Sequence, residues 1–202
     1  RSLKLDNIND MLIEIFLRFD NEKMNRVWEA QITAYKTMKP KPDSSVFEKE
    51  RWIRMKYVDR IFLANPSNFY LRMLMRNFIV ANFDELKSME AAIKSNDFLK
   101  TLEVLALSQI NVNQIFLLDG KKTSFFHMAA VYADEYLLEM LCQNGAKLDI
   151  LDEDSKRPYD LAVLAKRVRL NYFATGSNDL PFVWQHEIAD YLIKKKEETE
   201  MH

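Results

Sequence analysis

The stretch that decides the fold is Ser124-Phe125-Phe126-His127-Met128-Ala129-Ala130, because it returns as Arg157-Pro158-Tyr159-Asp160-Leu161-Ala162-Val163, displaced by 33 positions. A fixed step of that size marks helix-pair units that cannot bury their apolar faces alone and must stack on one another. Between the two copies lies Gly145-Ala146-Lys147-Leu148-Asp149-Ile150-Leu151-Asp152, which reads as the loop after a second helix followed by a hairpin, with Gly145 supplying a left-handed turn. The alanines of the motif let two helices approach closely. Leu137, Met140, Leu141 and Leu148 are then placed to fill the space between neighbouring units.

Period and motif together resemble the ankyrin repeat. A weaker copy upstream runs through Ala92-Ile93-Lys94-Ser95-Asn96-Asp97, Leu102, Val104, Leu105 and Val112-Asn113, spaced 33 to 36 positions from the better one, and reads as a degenerate amino-terminal cap. A third unit opens at Arg157, carries an insertion from Val168 to Phe182, and regains its second helix at Glu187 to Ile193, with the charged run Lys194 to Glu200 as a polar cap. Three units are about the minimum that bury a continuous core. The resemblance implies that residues 88–202 bind other proteins through hairpin tips and a concave face. The protein-binding candidates are Asp119, Lys121 and Lys122 at one expected tip, with Tyr132 and Asp134 between helices. Against them stands the plainer reading of solvated turn residues, since exposed charges mostly contribute little.

Upstream, Ile8, Leu12, Ile15, Phe16 and Phe19 recur at helical spacing with Asp10, Glu14 and Arg18 on the other side, and a short helix from Asn21 aims Met24, Val27 and Trp28 inward. Lys39-Pro40-Lys41-Pro42 withholds two amide donors and reads as a stiff connector. Ser45 with Glu48 has capping-box spacing, and Trp52, Ile53, Val58, Ile61 and Phe62 continue an apolar helical face, leaving Glu48, Arg51, Lys56, Asp59 and Arg60 for solvent. Asn68 to Ala81, rich in apolar residues and interrupted by Arg72 and Arg76, reads as a helix inside a connector at 67–87 that packs internally; if exposed, it would make a membrane or partner surface.

The segment Glu48 to Phe62 resembles the closing helix of Arf GTPase-activating domains; Arg1 to Asp6 resembles the strand entering the second half of that domain, and Asn25 to Ala30 its short helix. The fold expected is therefore all-α: the carboxy-terminal part of an Arf GAP domain at 1–66 packed on ankyrin repeats. The resemblance implies an Arf-family small GTPase as partner, a role as GTPase activator rather than an enzyme with substrate chemistry of its own, and a cytoplasmic protein recruited peripherally to membranes through an upstream domain. In that family two Cys-x-x-Cys pairs hold a structural zinc and an arginine just after them enters the GTPase site, where it neutralises charge on the transferring phosphoryl group. Neither motif occurs from Arg1 onward, so this chain is expected to carry no zinc or other cofactor and to be inactive alone. Either the zinc half precedes Arg1, favoured because Arg1 falls at the edge of the zinc module in the family's order, or the protein has lost it and serves as a non-catalytic ankyrin adaptor.

Bulk properties narrow the field further. With 29 Lys and Arg against 30 Asp and Glu, no global field selects nucleic acid. Cys142 is the sole cysteine, which excludes an intrachain disulfide and a four-thiolate zinc site and fits a reducing compartment. It reads as a small core residue. No apolar run approaches the roughly 18 residues a membrane span needs. Of the histidines, His127 takes the structural ankyrin position, bonding backbone at a hairpin, and His186 beside Trp184 and Glu187 has no partner at metal-ligand spacing. No glycine-rich phosphate loop occurs, so nucleotide is expected to arrive on the partner.

Overall fold

The computed structural model describes residues 10–64, 83–108, 110–165 and 185–200. The chain divides into two compact units, Arg1–Asn82 with Leu102–Gln109, and Phe83–Thr101 with Ile110–His202. The sequence expectations for Arg1 to Asp6, for Asn68 to Ala81 with Arg72 and Arg76, and for the insertion Val168 to Phe182 fall outside the described residues.

The first unit opens with α1 (Asp10–Arg18), which buries Leu12 and Ile15 as its periodicity requires. Phe16, read from sequence as a core position, is instead half exposed. Helix α2 (Asn21–Trp28) starts where the Asp20 carboxylate accepts the Lys23 N–H at 2.9 Å. A 3-10 segment (Ile32–Met38) leads into the Lys-Pro connector, and the expected capping box then launches α3 (Val46–Ile53). In it the Glu48 N–H donates to Ser45 Oγ at 3.3 Å while the Ser45 N–H donates to Glu48 Oε2 at 2.8 Å.

Beyond Ile53 the helix departs from expectation. It loosens into a π-type turn (Arg54–Val58) and is stopped by Arg60, whose φ of 53° is left-handed. Ile61 and Phe62 therefore do not extend the helix, and Ile53 and Val58 stay exposed. The reversal swings Phe62 back so that its fully buried ring stacks on Trp52 at 4.5 Å and meets the edge of Tyr35 at 5.3 Å. The Gln31 N–H donates to the Phe62 carbonyl at 2.9 Å, which fixes the return. Lys56, assigned to a solvated face by sequence, is buried against Glu29. Helical periodicity cannot reveal a buried carboxylate 27 residues away.

The second unit begins with α4 (Phe83–Lys94) and the first turn of α5 (Phe98–Leu107), whose residues from Leu102 onward group with the first unit, and continues with strands β1 (Ile115–Leu118) and β2 (Lys121–Ser124). Helices α6 (Phe125–Tyr132) and α7 (Glu135–Gln143) form the next pair. A helix at 158–165 (α8) and α9 (Gln185–Glu200) complete the described part. Starts at 125 and 158 reproduce the 33-residue step. The earlier pair is out of that register: α5 and α7 start at 98 and 135, a step of 37, whereas Asn113 and Ala146 in the following loops stay 33 apart. A longer α5 and a longer exit loop account for the difference. The all-α reading needs one amendment, the β1–β2 hairpin, whose Asp119-Gly120 turn has φ of 50° and 80° as a two-residue primed turn demands.

Polar side chains tie the second unit together across sequence. Asn113 donates to the Gly145 carbonyl at 2.8 Å and accepts the Lys147 N–H at 2.8 Å, so one amide side chain clamps two successive loops. Gly145 itself has φ of 89°, the left-handed turn expected of it. His127, fully buried, lies 2.8 Å from Ser124 Oγ through Nδ1 and 2.9 Å from the Lys156 carbonyl through Nε2. A carbonyl only accepts, so Nε2 carries the proton and Nδ1 accepts from the hydroxyl. Burial lowers the His127 pKa and keeps the ring neutral. This is the backbone-bonding role read from sequence.

Between α7 and α9, the Glu139 carboxylate is almost fully buried and accepts from Tyr191 Oη at 2.6 Å and Lys195 Nζ at 2.8 Å. Cys142 lies 3.8 Å from the same hydroxyl, and burial pushes its thiol up to about 11, so it behaves as an inert packing residue. No helix among the described residues is long and apolar enough to cross a membrane.

Burial alone would raise the Glu139 pKa, but the bonds from Lys195, Tyr191 and Gln143 outweigh it and hold the group below 4.5. A carboxylate depressed in the folded state contributes stability that is complete above its unfolded value and vanishes as pH falls through the folded value. Urea midpoints of the second unit should therefore stay level near neutrality and drop in the acid range below 4.5. Glu139→Gln should lower the neutral plateau and flatten that drop, as followed by tryptophan-independent circular dichroism.

Candidate functional site

The five residues singled out for protein binding do not share one environment. Asp119, Lys121 and Lys122 are exposed on the hairpin, Asp119 in its turn and the lysines at the start of β2. Tyr132, at the end of α6, is 48% exposed. The ammonium of Lys94, from the end of α4, lies 5.9 Å from the centre of its ring, within cation–π range. Lys94 also bonds Glu90 one helical turn back at 2.7 Å. Its pKa is raised chiefly by that bond, with Tyr132 and Asp119 adding smaller attractions. Asp119, Lys94 and Tyr132 thus contribute to one electrostatic neighbourhood on a surface that combines an aromatic ring with charges of both signs.

Asp134 does not belong to that surface. It is 4% exposed and caps α7, its carboxylate accepting the Leu137 N–H at 3.0 Å. Its other oxygen accepts from Asn96 Nδ2 at 2.9 Å, and its own N–H donates to Asn96 Oδ1 at 3.0 Å. Asn96 sits in the left-handed turn between α4 and α5, at φ 53°. The reciprocal pair links two inter-helix turns, so the residue is spent on stacking. Sequence reading missed Asn96, Lys94 and Glu90. The Glu90–Lys94 spacing was visible as a helical ion pair, but nothing in the sequence placed Lys94 over a ring from another helix.

In the first unit, the notable group is the Glu29 carboxylate, 8% exposed at the end of α2. Lys56 Nζ approaches it at 2.9 Å and Lys39 Nζ at 2.7 Å, and Lys56 also donates to the Asn25 side-chain oxygen. Desolvation opposes ionisation here, but the bonds from Lys39 and Lys56 prevail and hold the carboxyl below its ordinary range. The three arginines of the α3 region are placed differently. Arg51 is exposed, Arg54 lies 3.8 Å from Asp59 in a solvated pair, and Arg60 sits over the Trp28 ring at 6.0 Å while donating to the Ala106 carbonyl at 2.8 Å. No group of three or more His, Cys, Asp or Glu side chains with metal-binding geometry occurs among the described residues.

Comparison with known proteins bears on the first unit most directly. Residues 1–66 match the family described as a putative GTPase activating protein for Arf, which is the class of domain this part of the chain is similar to. The similar proteins include Arf-GAP with coiled-coil, ANK repeat and PH domain-containing protein 2 from Gallus gallus, 28% identical over 140 residues, covering 69% of this chain. Its counterpart in Rattus norvegicus is 33% identical over 104 residues, or 48% of this chain. Protein 3 of the same description from Homo sapiens is 38% identical over 63 residues, or 31% of this chain. The alignments span 18%, 13% and 8% of those relatives, so the chain corresponds to a small part of their length.

If Asp134 is structural and the other four are surface residues, stability separates them. Asp134→Ala should cost about 1–2 kcal/mol, the usual loss for a helix cap, before any penalty for stranding Asn96. Lys121→Ala, Lys122→Ala, Asp119→Asn and Tyr132→Ala should each stay within about 0.5–1 kcal/mol of the parent. Chemical denaturation of the second unit checks both statements.

Proposed function

We propose that this chain is the carboxy-terminal portion of an Arf GAP module followed by ankyrin repeats, within a regulator that accelerates GTP hydrolysis on an Arf-family small GTPase. The observation that carries the proposal is the family match over residues 1–66, falling on a segment organised around the buried Glu29, Lys56 and Lys39 cluster. In this reading the first unit supports a catalytic half lying outside these 202 residues. That half would hold a zinc ion and an arginine whose guanidinium neutralises charge on the transferring phosphoryl group. One cysteine cannot build a four-thiolate site, and Arg51, Arg54 and Arg60 are occupied or solvated as described. The chain is thus a GTPase activator's scaffold, with nucleotide bound by the partner. It takes no cofactor of its own.

The second unit fits an ankyrin role. Support comes from the 33-residue step between α6 and α8, the hairpin before α6, the buried His127 and the left-handed Gly145, together with the ANK repeats named in the relatives' descriptions. Its Lys94, Tyr132 and Asp119 surface is the proposed seat of a protein partner, without nucleic acid. A cytoplasmic protein brought to membranes by another region completes the picture. The adaptor reading, in which the repeats alone act, draws on that same surface and keeps partner binding without hydrolysis.

The deciding experiment expresses this chain with the coding segment that precedes it and measures zinc content and single-turnover GTP hydrolysis on purified Arf·GTP. The expected result is bound zinc and an acceleration of several orders of magnitude, with the present chain alone inactive. Absence of zinc and of acceleration in the extended protein would leave the adaptor reading in its place.

A further inference from the structure

Among the described residues, the β1–β2 hairpin has one edge closed and one edge open. Register pairs Ile115 with Ser124, Phe116 with Thr123, Leu117 with Lys122 and Leu118 with Lys121. With two residues in the turn, Leu118 and Lys121 are the first hydrogen-bonded pair, and bonding alternates from there. Phe116 and Leu118 therefore turn their N–H and C=O groups toward β2, whereas Ile115 and Leu117 turn theirs away from it. The same alternation directs the backbone of Lys122 away from β1, and there it is satisfied: its N–H donates to Glu153 Oε2 at 2.8 Å and its carbonyl accepts the Glu153 N–H at 3.1 Å. Among the described residues, no hydrogen bond meets the outward groups of Ile115 or Leu117.

The side chains agree with the backbone. Phe116 points inward and packs on Phe125 with ring centres 4.5 Å apart. Leu117 is 69% exposed and Ile115 41%, an apolar pair beside the open edge. Edge strands are usually protected by a charge, a proline or a bulge, and β1 has none of these. Lys121 and Lys122 stand exposed on the neighbouring strand and form no ion pair among the described residues.

We infer that the outer edge of β1 takes an extended peptide from another protein as a third strand, apolar on alternate residues and acidic between them. The peptide backbone bonds Ile115 and Leu117, its apolar residues cover their side chains on the face they share with Lys122, and its carboxylates, on the alternate face, answer Lys121, the partner of Leu118. This stands independently of GTPase regulation and names a mode of recognition for the second unit.

The test uses the full chain and a short synthetic peptide alternating valine and glutamate, with binding followed by fluorescence anisotropy and by amide hydrogen exchange. Expected are slowed exchange at the Ile115 and Leu117 amides and loss of binding when lysine replaces glutamate in the peptide. Leu117→Pro removes an outward N–H that the ladder does not use, a position where proline is tolerated, and should weaken binding at least about tenfold. Lys121→Glu, on the face of the peptide's carboxylates, should do the same. Should Leu117→Pro disturb the fold by circular dichroism, a peptide N-methylated at alternate amides makes the same test from the ligand side and should fail to bind. Absence of binding by the valine-glutamate peptide, binding insensitive to these changes, or protection confined to residues outside β1 would overturn the proposal. So would sedimentation showing that the chain dimerises and that Leu117→Pro returns it to monomer, since the occupant would then be a second copy.

Discussion

A carboxylate without water must find cations or become neutral, and in the first unit Glu29 finds two. Moving such a group out of solvent costs several kcal/mol even after relaxation, so the ends of Lys39 and Lys56 are held where they repay it. Lys39 lies in the connector and Lys56 in the loosened end of α3, while Glu29 closes α2. One carboxyl group therefore sets the distance between three segments that share no local hydrogen-bond ladder. Phe62 then returns over Trp52 because Arg60 reverses the chain. The apolar stack and the ion cluster form the core of the segment that resembles Arf GTPase-activating domains.

The second unit meets a related problem by repetition. Each helix pair leaves turns whose amides need partners, and these come from the neighbouring pair: Asn96 with Asp134, Asn113 with Gly145 and Lys147, His127 with Lys156. These bonds join positions about one unit apart in sequence, so each unit finishes the hydrogen bonding of the one beside it. That is the physical meaning of a repeat that cannot stand alone. The Glu139 cluster applies the same logic to α9, where Tyr191 and Lys195 convert a buried acid into a docking point.

Much of this was legible in the residues. The capping box at Ser45 and Glu48, the left-handed Gly145, the structural His127 and the start of α8 all follow from local chemistry at fixed spacing. What escaped was whatever depended on a partner distant in sequence. Lys56 looks solvated on a helical wheel and is buried because Glu29 is there. Asp134 looks like an exposed turn acid and is buried because Asn96 meets it. Lys94 becomes part of a surface only through Tyr132 on another helix. The β1 edge was invisible for a different reason: its openness depends on strand register and on Glu153 closing the opposite side.

If Glu29 organises the Arf-GAP-like segment, its energy must be shared with Lys56 and cannot belong to either residue singly. A double-mutant cycle with Glu29→Gln, Lys56→Met and the pair, read by unfolding of the first unit, measures that sharing directly. A coupling of about 1–3 kcal/mol, with the double variant more stable than the sum of single losses allows, is the expected result. Additive losses, with coupling inside about 0.3 kcal/mol, would show that the two charges sit together without holding the unit together.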